Sequence, residues 1–121
     1  MPSRIVKGVR RRTRQVAEQH LAAVRSGNPE AMAAGYAADA VLVRPDDVHR
    51  GREEILAYFR TVPERLGSAR VEFDDLVISQ DTAVFRWHLE GAESAVSGTD
   101  TCTVVAGAIV RQVVTLDVED F

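Results

Sequence analysis

Hydrophobic positions recur at helical spacing through the first third of the chain and at alternate positions thereafter, so the pattern predicts helices followed by strands. Over residues 13–26, Val16, Ala17, Leu21 and Val24 form one apolar stripe, which Gly27 stops. Asn28 as N-cap and Pro29 at the first helical position open a second, alanine-rich helix expected over residues 30–38. Residues 41–43 are a short β-rich run. Pro45, Asp46 and Asp47 then punctuate a polar loop. A third helix is expected from Glu53 to Thr61, with Glu53 and Glu54 in the first turn, where they favour the positive end of the helix dipole.

From Ala69 onward the period is two. Val71 and Phe73 alternate with Glu72 and Asp74, but Leu76, Val77 and Ile78 break that phase, which predicts a β-bulge near Asp74 and Asp75. Gln80, Asp81 and Thr82 form a turn. Residues 83–90 then place Ala83, Phe85, Trp87 and Leu89 on one face and Val84, Arg86, His88 and Glu90 on the other. Residues 98–105 and 108–118 read as two more strands joined at Ala106 and Gly107. The pattern is α+β: three helices ahead of an antiparallel meander.

Three polar residues fall on apolar faces. His20 lies four residues from both Val16 and Val24, so a helix aims its imidazole the way it aims the core. It reads either as a hydrogen-bonded core histidine or as a functional one. Asp100 shares a face with Cys102 and Val104, as a carboxylate at a wet strand end or as a cavity group. Gln112 is expected beside Val110, Val114, Leu116 and Val118, mid-strand, where an unpaired buried amide costs a few kcal/mol.

A length of 121 residues with 45% hydrophobic content fits one domain large enough to enclose a core. The net charge of -3 hides an asymmetry, because six of the fifteen basic residues lie at Arg4, Lys7, Arg10, Arg11, Arg12 and Arg14. Nine basic and eighteen acidic side chains follow. The basic run over residues 1–12 is read as a solvated extension of the domain at 13–121, since no aromatic residue interleaves with it to stack on bases. No nucleic-acid partner is expected. The longest uncharged apolar-rich run near the end, residues 101–110, is about half of what spans a bilayer, so no membrane association is expected. One cysteine, Cys102, excludes an internal disulfide and suits a reducing compartment; a cytoplasmic protein is expected.

Residues 35–60, GYAADAVLVRPDDVHRGREEILAYFR, resemble the NTF2-like superfamily in its SnoaL-like and ketosteroid-isomerase-like branches. The shared features are a tyrosine, an acidic helix end, a short strand, a loop and a Gly-Arg-Glu helix start. The resemblance extends over residues 13–117 and implies a cone-shaped, cystatin-like α+β barrel, a strongly bent antiparallel sheet closed by helices around an apolar pocket. In ketosteroid isomerases a tyrosine on the first helix and a late-strand aspartic acid donate hydrogen bonds to the substrate oxyanion. The tyrosine position falls on His20, the aspartic acid at or within one residue of Asp100, and a supporting pocket tyrosine on Tyr36. The general-base aspartate of that family corresponds to Arg44, so its steroid mechanism does not carry over.

The catalytic set expected from this resemblance is His20, Asp100 and Arg44, with Asp100 orienting a protonated imidazole and Arg44 holding developing negative charge. Tyr36, Phe59, Phe85, Trp87, Cys102, Gln112, Val114 and Leu116 are the expected walls. The implied chemistry is cofactor-independent isomerisation, cyclisation or dehydration of an apolar oxygenated small molecule. A non-catalytic carboxylate or phenolate binder and a dimerising accessory module remain alternatives. No metal is expected: Asp46, Asp47 and His49 are explained by a turn and a helix start. A homodimer is expected through the outer sheet face, with Val84, Arg86, His88, Glu90, Thr101, Thr103, Arg111, Val113 and Thr115.

Overall fold

The computed structural model describes residues 3–117, with side chains from residue 8 onward. Its first helix, α1 (Ser3–Ser26), begins well before the expected start at Thr13 and runs through the basic segment without a break. The buried stripe is Thr13, Val16, Ala17, His20 and Leu21. The Thr13 hydroxyl donates back to the Val9 carbonyl at 2.9 Å, which lets a polar side chain sit inside. Among the described residues no helix is long and apolar enough to cross a membrane.

Asn28 caps α2 (Pro29–Ala34) as expected, its side chain accepting from the backbone N–H groups of Glu30 and Ala31 at 3.0 and 3.2 Å. The helix stops at Gly35 instead of continuing to residue 38, and Tyr36 opens strand β1 (Tyr36–Arg44). Tertiary pairing overrides the helical propensity of the alanines here. Tyr36 pairs in parallel with Ile109, pairing resumes at Val41 with Arg111, and the residues between absorb a register shift. Arg52 adds two bonds to the Tyr36 carbonyl, at 3.0 and 2.8 Å.

The expected polar loop is also a strand, β2 (Asp47–Arg50), folded back on β1 with Leu42 opposite His49 and Arg44 opposite Asp47. Gly51, at φ 85°, turns the chain into α3 (Arg52–Leu66). The Glu54 carboxylate accepts from the Arg50 backbone N–H at 2.8 Å, satisfying a donor at the helix start. The helix runs through Pro63, past the expected end near Thr61, and the Gly67 N–H closes it on the Pro63 carbonyl at 3.1 Å.

Strands β3 (Arg70–Ser79), β4 (Thr82–Glu90), β5 (Ser97–Val105) and β6 (Ala108–Leu116) complete a curved sheet in the order β2-β1-β6-β5-β4-β3. Every junction is antiparallel except β1 with β6. The bulge expected near Asp74 and Asp75 is present, between Phe73 and Asp75. A second irregularity carries no signal in the pattern. Thr103 pairs with Arg111 but Val104 with Ile109, so Val110 is the extra residue and Ile109, not Val110, joins Gln112 on the buried face. The last strand ends at Leu116, and Val118 lies outside the described residues. Helix α1 packs over β3, β4 and β5, and α3 over β1 and β2, which closes the concave side of the sheet.

Candidate active site

Between the helices and the concave sheet face lies a cavity of about 90 Å³. His20 and Val24 of α1, Leu42 and Arg44 of β1, and Tyr58, Phe59, Val62 and Leu66 of α3 line one side. Val71, Phe73, Phe85, Trp87, Asp100, Gln112, Val114 and Leu116 of the sheet line the other. The expected residues His20, Arg44, Phe59, Phe85, Trp87, Asp100, Gln112, Val114 and Leu116 are therefore brought together. Tyr36 and Cys102 are not at the wall; they are 0% and 1% exposed and pack behind it. Burial pushes both their pKa values well up, so the Cys102 thiol stays protonated and inert.

The polar residues on the sheet form one hydrogen-bonded chain. The Tyr36 hydroxyl donates to Gln112 Oε1, and Gln112 Nε2 donates to Asp100 Oδ2 at 2.5 Å. Trp87 Nε1 donates to Asp100 Oδ1 at 2.8 Å. Each donor has one acceptor, so an ionised Asp100 fixes the orientation of the Gln112 amide and through it the Tyr36 proton. Gly98 makes the indole contact possible. A Cβ there would stand 2.6 Å from Cζ2 of Trp87 and 2.8 Å from the Thr115 carbonyl, so the ring lies against the bare backbone of β5 and reaches Asp100 two residues on.

Asp100 is 7% exposed. Burial pushes its carboxyl up to about 6, against the two donors, which hold it down. Each of its oxygens accepts one hydrogen bond, and the residue lines the cavity. His20 behaves in the opposite way. Its ring packs among Tyr36, Phe59 and Phe85 at centroid distances of 5.5, 6.2 and 6.1 Å, and burial pushes it down to about 4. Its Nδ1 is buried and makes no hydrogen bond. The expected pairing, in which Asp100 orients a protonated His20, is not formed: Trp87 and Gln112 occupy the carboxylate, and the imidazole is neutral at physiological pH.

Arg44, 9% exposed, supplies the cavity's cationic group. Its guanidinium carbon lies over the Tyr58 ring, 4.5 Å from the ring centre. Its ion pair with Asp46 is 3.7 Å long and reaches an 83% exposed carboxylate, so solvent screens it. Tyr58 is not among the walls expected from the sequence, nor are Val24, Leu42, Val62, Leu66, Val71 and Phe73. The spacing of Tyr58, Val62 and Leu66, four residues apart along one helix face, is a signal that could have found three of them.

Among the described residues no group of three His, Cys, Asp or Glu side chains could hold a metal ion. Asp47 accepts from the Val48 backbone N–H at 2.8 Å, and His49 stacks on Tyr58 at 4.9 Å and 25°.

The profile of the SnoaL-like domain matches residues 17–112. The chain belongs to the SnoaL-like domain family. Similar solved structures include a proposed polyketide cyclase from Sinorhizobium meliloti, 22% identical with a TM-score of 0.74, over 84% of this chain and 94% of that one. A proposed ketosteroid isomerase from Kribbella flavida is 19% identical with a TM-score of 0.80, over 92% and 82%. A protein of unknown function with a cystatin-like fold from Methylobium petroleophilum is 20% identical with a TM-score of 0.77, over 93% and 80%. At such identities the likeness establishes the NTF2-like, cystatin-like fold of this SnoaL-like chain. No curated protein matches.

Proposed function

We propose that this SnoaL-like protein performs cofactor-independent acid–base chemistry on a small, apolar, oxygenated molecule, of the isomerase, cyclase or dehydratase type. The observation that carries the reading is Asp100, a buried carboxyl with a pKa of about 6 that lines a largely apolar cavity. A general base works best when its pKa lies near the operating pH, and above pH 6 this one is ionised and ready to take a proton. Trp87 and Gln112 position it. His20, neutral, hydrogen-bonds a ligand oxygen without competing for the proton, and Arg44 offsets the charge that grows as an acidic C–H is removed. Solved structures of a proposed polyketide cyclase and a proposed ketosteroid isomerase on the same fold support the reaction class.

The test is exchange of a bound ligand's acidic C–H with deuterated solvent. Exchange that collapses in Asp100→Asn while affinity drops only modestly supports catalysis. His20→Gln should slow it less, because a neutral hydrogen-bonding group is retained. Undetectable exchange in the native protein removes the catalytic reading. The second reading then holds, a pocket that binds without turnover, which Arg44 favours.

A further inference from the structure

Tyr58 is held more firmly than a cavity wall requires. Besides the Arg44 guanidinium at 4.5 Å, the His49 imidazole stacks on its ring and the Arg65 guanidinium lies 6.0 Å from the ring centre. The residue is half-buried. Burial pushes the Tyr58 phenol up, against the pull of the Arg44 charge, so the hydroxyl keeps its proton. What Tyr58 has left to offer a ligand is its proton.

The sheet fixes where this pair stands relative to Asp100. Asp100 pairs with Val114 of β6, and Val113 pairs with Val43 of β1, so Arg44 follows in the same row two strands away. Two strand spacings are roughly 10 Å between backbones. One ring fills that gap, and the side chain between the ends, Val114, is apolar. The ends differ in sign. Asp100 repels an anion, whereas Arg44 with the Tyr58 hydroxyl offers a planar fork and a point donor, the pattern that suits a delocalised oxyanion.

We propose that Arg44 and Tyr58 form an oxyanion-recognition site across the cavity from Asp100, and that the ligand is a compact apolar ring compound carrying a carboxylate or an acidic phenol or enol oxygen. The proposal rests on the cavity being a ligand site and stands whether or not turnover follows. Tyr58 is on this reading a binding residue, touching ligand directly.

Calorimetric titration of the full chain with benzoate and with benzyl alcohol, the same ring without the charge, tests it. The carboxylate should bind at least about tenfold more tightly, the scale of one charge-assisted hydrogen bond. Tyr58→Phe should weaken benzoate by about tenfold while leaving the alcohol unchanged, and Arg44→Lys, which keeps the charge but loses the fork, should weaken benzoate again. 4-Nitrophenol separates the two oxygen sources, because its yellow colour reports the phenolate. Colour developing on binding at a pH where the free compound is colourless adds phenols to the class, and its absence confines the class to carboxylates. Equal affinity of benzoate and the alcohol overturns the oxyanion site and leaves the cavity reading standing; binding of neither overturns both. Anion preference without C–H exchange removes catalysis and keeps this site.

Discussion

Replacing Asp100 by Asn should expose an acid lability that the native chain hides. Asp100 and His20 line one cavity and are displaced by burial in opposite directions. The Asp100 carboxyl rises from an ordinary 3.8 to about 6 on folding, so the folded state holds that proton more tightly than the unfolded chain. Its contribution is complete below pH 3.8 and is lost as pH rises through about 6. His20 falls from an ordinary 6.5 to about 4, so its contribution is complete above pH 6.5 and is lost as pH falls through about 4. At about 1.4 kcal/mol for each tenfold change in proton affinity, each is worth about 3 kcal/mol. Across the window between them the two slopes cancel.

Removing either partner should uncover the other. Asp100→Asn should lose about 3 kcal/mol between pH 6.5 and pH 4 relative to the native chain, and His20→Gln should gain about as much over the same descent. Against a total stability of roughly 5–15 kcal/mol such changes are large. Urea unfolding followed by far-ultraviolet circular dichroism across that range measures them. Taking each variant as a difference from the native protein cancels surface contributions, including exposed His88, whose pKa is raised by Asp74 and Glu90. Any rearrangement of the Gln112 amide beside the substituted side chain adds a constant and leaves the slope alone. Three profiles running parallel within about 0.5 kcal/mol would refute the assignment of opposed buried groups.

Gly98→Ala should destabilise the protein by about 1–3 kcal/mol and open the Trp87 to Asp100 hydrogen bond, since the new methyl falls 2.6 Å from the indole and 2.8 Å from the Thr115 carbonyl. Thermal melting together with the emission of Trp87, the chain's one tryptophan, checks both effects. We also propose a homodimer through the outer sheet face, where Val77, Val84, Thr101, Val113 and Val43 form one cross-strand row and Val77 is 60% exposed. Light scattering at micromolar protein should give twice the chain mass, and a monomeric mass refutes it.

The sheet was legible because its signals were local and repeated. Strict alternation over residues 83–90 placed Ala83, Phe85 and Trp87 on the buried face, and the broken phase at Leu76 announced the bulge. Within the stretch from Tyr36 to Arg50 only the β-rich run at residues 41–43 was legible as strand; the alanines before it and the polar loop after it gave no strand signal of their own. What makes β1 a strand is β6, some seventy residues away, and what makes β2 one is β1. Pro63 misled for a related reason. A proline usually ends a helix, but packing carries α3 past it, and with that extension Leu66 reaches the cavity.

The chemistry of the cavity followed a rule the sequence could state only in part. An imidazole has its ordinary pKa near neutrality and a carboxyl does not, so His20 was the natural candidate for the group that exchanges a proton. Burial acts on both by disfavouring charge, which moves the histidine away from neutral pH and the aspartic acid toward it. The difference then lies in what opposes burial. Two donors, Trp87 and Gln112, draw Asp100 back to about 6, whereas the buried Nδ1 of His20 has no hydrogen-bond partner to favour its charged form. Those donors come from neighbouring strands through pairings at Phe85, Cys102 and Gln112, and the indole can reach only because residue 98 has no side chain. Three-dimensional register, which no local pattern encodes, thus reverses the order expected of the two residues: Asp100 is the group whose pKa lies nearer neutral pH, and His20 is a neutral imidazole lining the same cavity.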